Sequence, residues 1–158
     1  MNEIGALPPV GSVRRMRVDD LDQVSAVCMA AFNHSIAGTL SALGVETFGT
    51  IASAESFGRR LTGDSVILVH ERDGVIDGVA ELKQRRHVAM LFVVPACQQQ
   101  GIGGALMRAL LQHAHGEVVT VSASLSSVPA YERYGFACSG AIAESSGLVY
   151  LPMEKWLP

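Results

Sequence analysis

The stretch Leu91-Phe92-Val93-Val94-Pro95-Ala96-Cys97-Gln98-Gln99-Gln100-Gly101-Ile102-Gly103-Gly104-Ala105-Leu106 constrains the fold of this chain more than any other. An apolar run stops at Pro95, a polar loop follows, and glycines open a helix. Such a turn leaves several backbone N–H groups unpaired at the positive end of the helix dipole, a site for phosphate oxygens. Bare glycines at 101 and 103 keep side chains away from those amides. A Walker loop would need Gly-Lys-Ser/Thr, and no lysine follows. A dinucleotide fingerprint would need a third glycine where Leu106 stands, usually on the first strand-to-helix turn. Glycines serving only close packing would explain neither the glutamines nor Pro95. The expected ligand is therefore a phosphate or pyrophosphate of another kind.

With 158 residues the chain suits one domain and one core. Its 49% apolar and 17% charged residues indicate a well-packed soluble protein. A net charge of −3 argues against a nucleic-acid partner, and no apolar run is long enough for a membrane span. Residues 1–11 read as a flexible leader and 12–158 as the single domain. Cys28, Cys97 and Cys138 have no metal-ligand spacing, so no metal is expected. Free thiols fit a reducing, cytoplasmic setting. Cys28 and Cys138 read as apolar filler. Cys97 adjoins the glycine turn but has no His or Asp neighbour in sequence to activate it.

Alternation predicts a first strand over Ser12–Val18. Asp19-Asp20 then caps a helix that Asn33-His34 ends near Phe32. A second helical region spans Ser41–Leu61, with breaks expected at Gly44 and Gly49. Ser65–His70 and Val75–Leu82 read as strands joined by an Asp73-Gly74 hairpin, Gly78 marking a bulge or a close backbone approach. After the basic turn Lys83-Gln84-Arg85-Arg86, Val88–Val94 is apolar on both faces, as in a central strand buried on both sides. Ile102–Ala114 is an amphipathic helix. His113 and His115 lie at its end, where a cation suits the dipole. Val118–Val121 is a strand, followed by a serine-rich loop and a short helix through Tyr131. The final strand pair is Phe136–Cys138 with Leu148–Leu151. Pro152, unable to donate to a ladder, points to a free edge there and leaves a homodimer open.

Pro95-x-x-Gln98-x-x-Gly101-Ile102-Gly103 resembles the acetyl-CoA motif of the GNAT superfamily of N-acetyltransferases, Gln/Arg-x-x-Gly-x-Gly/Ala. Pro129-Ala130-Tyr131-Glu132-Arg133-Tyr134-Gly135-Phe136 is similar to that family's Tyr-Glu-Lys-x-Gly-Phe segment, and Leu148–Lys155 resembles its final strand. The resemblance covers residues 12 to 156. It implies an α+β, three-layer α/β/α sandwich whose mixed, mostly antiparallel sheet has splayed central strands. It also implies backbone contacts from Leu91, Phe92 and Val93 to a pantetheine arm. The segment Gln98, Gln99, Gln100, Gly101, Ile102, Gly103 and Gly104 would hold the pyrophosphate.

Tyr131 stands at the position of the family's tyrosine that protonates the leaving thiolate; a phenol is uncharged at neutral pH and can give up its proton. Where many members carry a cofactor-binding Asn, this chain has serines, which implies Ser124 and Ser126 as shorter-reaching contacts. No carboxylate stands between Val88 and Val94, so His87 or Glu81 is the best available base. The implied activity is acetyl transfer from acetyl-CoA to a primary amine of a small molecule or peptide. The alternative is a non-catalytic acyl-CoA sensor or partner module. The acidic net charge suits a cationic amine, and the acceptor is otherwise not legible.

Overall fold

The computed structural model describes residues 11–158; the expected leader, apart from Gly11, lies outside the described residues. The chain folds as β1 (Ser12–Arg15), α1 (Leu21–Ser35), α2 (Ala42–Ile51), α3 (Ala54–Arg60), β2 (Val66–Arg72), β3 (Val75–Lys83), β4 (His87–Val93), α4 (Ile102–Leu111), β5 (Val118–Ala123), α5 (Val128–Arg133), β6 (Ala137–Cys138), β7 (Ala143–Ser145) and β8 (Leu148–Trp156). The sheet order is β1-β2-β3-β4-β5-β8-β6, with β7 paired to β8. All pairings are antiparallel except β4–β5.

Alternation along β3 separates two cores. Ala80 and Leu82 face Ile102, Leu106 and Leu110 of α4. Val79 faces Val24, Val27, Phe32 and Phe57 of α1 and α3. Helices therefore cover both faces of a mixed sheet, the three-layer arrangement expected. The Asp73-Gly74 hairpin has both residues at positive φ, 51° and 78°, as a two-residue turn of the right twist requires.

The elements differ from expectation where distant groups intervene. Asp20 does not cap α1 with its side chain. It reaches back to the Arg17 amide at 2.7 Å and pairs with the Arg14 guanidinium at 2.7 Å. Helix α1 runs on to Ser35, past Asn33-His34. The second helical region does break, but at Ala52-Ser53, where Ser53 caps α3 by accepting from the Ser56 amide. Gly44 and Gly49 lie inside α2. Gly44 is needed there because the Gly147 carbonyl of the β7–β8 turn packs against its Cα.

Gly78 is a close approach: a Cβ there would stand 2.8 Å from Leu106 Cδ1 and 2.9 Å from Ile102 Cγ2. The bulge falls one residue earlier, at Asp77, where His70 pairs with Gly78 but Glu71 with Ile76. Helix α4 ends at Leu111. Burial, with Arg15 and Arg85 nearby, holds His113 below the ordinary imidazole value, so it is not a cation for the dipole. Cys28 is buried as expected, and burial pushes its thiol up to about 12; Cys138 is exposed on β6.

Pro152 does not mark a free edge. Strand β8 lies between β5 and β6, with Ser122 opposite Pro152, whose carbonyl accepts from the Ser139 amide at 2.9 Å. The edges of the main sheet are β1 and the two-residue β6. The argument for a homodimer at Pro152 falls with that edge.

Candidate active site

Strands β4 and β5 pair only at His87–Thr120 and Val88–Val121, and then diverge. A bulge at Ala89 helps to turn β4: Glu81 pairs with Met90, but Leu82 with Val88. The far half of β4 thus loses its partner on one side, and Leu91, Phe92 and Val93 are only half-buried. A strand buried on both sides was expected. The exposed half instead forms the wall of two cavities.

The first cavity, on the α4–α5 face, has a volume of about 710 Å³. Gln98, Gln99, Gly101, Gly103 and Gly104 line it, with Leu91 and Val93 on one side and Tyr131 and Tyr134 on the other. The first bond within α4 runs from the Ala105 amide to the Gly101 carbonyl, 3.0 Å, leaving the amides of Ile102, Gly103 and Gly104 without a partner in the helix.

The two glycines have different reasons. Gly101 sits at φ +84°, a left-handed conformation that side chains disfavour, although a Cβ there would meet open space. At Gly103 packing is close instead: a Cβ would stand 2.6 Å from the Tyr134 hydroxyl, so that side chain would have to shift. Gln98 has a structural task of its own, donating from Nε2 to the Val93 carbonyl at 3.0 Å and tying loop to strand. Gln100 does not line the cavity; it accepts from Arg72 at 3.0 Å.

The second cavity, about 500 Å³, opens on the α1–α2 face. Phe32, Phe48 and Phe92 make one wall, with the Phe32 and Phe48 rings stacked at 3.9 Å and Phe92 set edge-on to Phe48 at 5.4 Å. His87, Lys83 and Ser124 also line it. Leu91, Ser127 and Tyr131 line both cavities, which therefore meet in the gap between the splayed strands.

Of the sequence-predicted residues, Tyr131 lies at this junction, only 6% exposed. Burial raises the pKa of its phenol, which stays protonated. His87 stands on the α1–α2 side with Nδ1 2.8 Å from Thr120 Oγ1. Burial, with Lys83 and Arg86 adding repulsion, lowers its pKa and keeps the ring neutral near pH 7. Glu81 is not brought to either cavity: it is 1% exposed and pairs with Arg60 Nε at 2.8 Å. Ser126 lines the first cavity, whereas Ser124 faces the second and hydrogen-bonds Ser127. His34 is exposed and lines neither.

Sequence reasoning missed the aromatic wall and Lys83. Their elements are far apart in the chain, although the spacing of the turn between Lys83 and His87 already placed those two on one face.

The family model described as "Acetyltransferase (GNAT) domain" matches residues 36–157. This chain belongs to the GNAT acetyltransferase family. Among solved structures, a GCN5-related N-acetyltransferase from Rhodopseudomonas palustris is 23% identical, with a TM-score of 0.82 over 99% of this chain and 100% of that one. The PaiA N-acetyltransferase from Thermoplasma acidophilum, solved with coenzyme A, is 20% identical, with a TM-score of 0.76 over 94% and 99%. The ribosomal-protein-alanine N-acetyltransferase from Brucella melitensis is 21% identical, with a TM-score of 0.66 over 92% and 99%. These likenesses show the GNAT fold. No curated protein matches the sequence. Among the described residues no helix is long and apolar enough to cross a membrane.

Proposed function

We propose that this GNAT protein transfers an acetyl group from acetyl-CoA to a primary amine, with donor and acceptor entering from opposite faces of the sheet. The observation that carries the reading is the meeting of two cavities at Leu91, Ser127 and Tyr131. The α4–α5 cavity fits CoA: unpaired helix amides suit its pyrophosphate, and the unpaired half of β4 offers backbone groups to its pantetheine amides. Bound there, acetyl-CoA supplies an activated acyl thioester.

The chain's own groups do the rest. His87 is neutral and borders the acceptor side. When its Nδ1–H donates to Thr120, the Nε2 lone pair is left to take a proton from the incoming amine. Tyr131, protonated and at the junction, donates its proton to sulfur.

The test is thiol release from acetyl-CoA over a panel of amines, alongside calorimetric binding of CoA. Turnover with at least one amine is expected. Tight CoA binding without turnover of any amine would replace the enzyme reading with a CoA-binding module.

A further inference from the structure

The acidic net charge of the chain suggests a cationic acceptor, but the cavity on the α1–α2 face has the opposite character. Its volume of about 500 Å³ suits a small molecule. Among the described residues, no carboxylate lines it. Glu46 and Glu144, the exposed sequence neighbours of Thr47 and Ser145, do not line it, and Glu81, two residues from Lys83, is taken by Arg60 in the core. One wall is the stacked Phe32–Phe48 pair with Phe92 against it. Serine hydroxyls supply most of the remaining polarity.

The one permanent charge on the lining is the Lys83 ammonium. Lys83 stands opposite His87 in the β3–β4 register, is exposed, and makes no ion pair among the described residues. A polyamine or aminoglycoside would bring several cations against this ammonium with no carboxylate on the lining to offset them. A carboxylate on the acceptor would gain a charge-assisted contact instead.

We infer that the acceptor is a small primary amine with an apolar body and a carboxylate, that is, an apolar amino acid or close analogue. Its body lies on the Phe32–Phe48–Phe92 wall and its carboxylate on Lys83. This rests on the acetyltransferase reading. The reaction balances as amide formation: the C–N bond forms, the thioester C–S bond breaks, the amine loses one proton and sulfur gains one.

The experiment compares phenylalanine and leucine with their decarboxylated amines, phenethylamine and isoamylamine, and with spermidine and kanamycin. The readouts are thiol release from acetyl-CoA and calorimetric binding to CoA-loaded protein. The amino acids should exceed their decarboxylated amines in kcat/KM and in affinity by roughly threefold to tenfold, as for a partly exposed charged contact. Spermidine and kanamycin should rank last. Lys83→Gln should collapse the ratio of amino acid to amine towards one, and Lys83→Glu should invert it.

Preference for spermidine or kanamycin would overturn the inference, as would a ratio unchanged in Lys83→Gln. If no amine releases thiol, the acetyltransferase reading fails, and the binding arm still decides the pocket. Amino acids bound more tightly than their amines, with the difference lost in Lys83→Gln, would uphold it; no such difference would end it.

Discussion

Arg72, at the end of β2, donates from Nη2 to Gln100 Oε1 at 3.0 Å and so ties the β2–β3 hairpin to the loop that opens α4. Its Nε is held by Asp77 Oδ2 at 3.0 Å, and the other Asp77 oxygen meets His70 Nδ1 at 2.6 Å. The Asp77 bulge makes this chain of contacts, which raises the pKa of the already charged guanidinium. Asp77 also fastens the end of β4, its carbonyl accepting from the Val94 amide at 2.9 Å. Arg72→Ala should therefore loosen the phosphate loop and weaken CoA binding by roughly threefold to tenfold, the worth of one net hydrogen bond. Calorimetry would show it, and the melting temperature should fall as well, because Arg72 is a partner of the buried Asp77 carboxylate.

Tyr131→Phe keeps the ring that packs edge-on to Phe136 at 5.5 Å and removes only the hydroxyl at the junction. Turnover should fall by ~10²-fold, the usual share of a general acid, with CoA affinity nearly unchanged. An unaltered rate in single-turnover assays would remove Tyr131 from the mechanism.

His87 titrates below the ordinary 6.5 because burial, then Lys83 and Arg86, oppose its protonation. A base of this kind loses activity as pH falls through its lowered pKa, so the acid limb of kcat/KM should lie below pH 6.5. Lys83→Gln should move that limb upward, and His87→Gln should abolish it. Stability follows the same sign. The unfolded chain takes up a proton near 6.5 that the folded state resists, so His87 makes folding less favourable as pH drops through this window.

Glu81 and Arg60 form a pair whose removal tests stability rather than chemistry. Arg60 also stacks over Phe57, 4.4 Å from its centroid. Glu81→Ala leaves the guanidinium beside an apolar core and should cost about 3 kcal/mol, read from denaturant unfolding. The folded fraction should retain its kcat. A large kcat loss at unchanged stability would restore Glu81 as a base.

The two glycines of α2 should respond in opposite ways. Gly49 has open space around a Cβ, so Gly49→Ala should stabilise the protein by about 0.5–1 kcal/mol through helix propensity. Gly44→Ala would push the Gly147 carbonyl away and should cost about 1–3 kcal/mol. Thermal melting of the two variants checks both signs.

What could be read directly was local. The glycine turn, the periodicity of α4 and the Asp73-Gly74 hairpin each rest on residues within a few positions of one another, where backbone preference decides. The resemblance carried Tyr131 to its place for the same reason, through a short contiguous motif. Other features depended on pairings that no local preference encodes. A bulge turned Asp77 towards His70. Docking of α2 on the β7–β8 turn made Gly44 a helix residue. Arg60, twenty-one residues away, took Glu81 out of contention as a base. Above all, the divergence of β4 from β5 turned an apolar strand, which by composition belongs in a closed core, into the shared wall of two cavities. The amino-acid sequence by itself thus determined the glycine turn that opens α4 and leaves its first amides unpaired within the helix. Only the tertiary structure decided what faces it from the other side of the sheet, because that surface is assembled from α1, α2, β3 and β4 by packing.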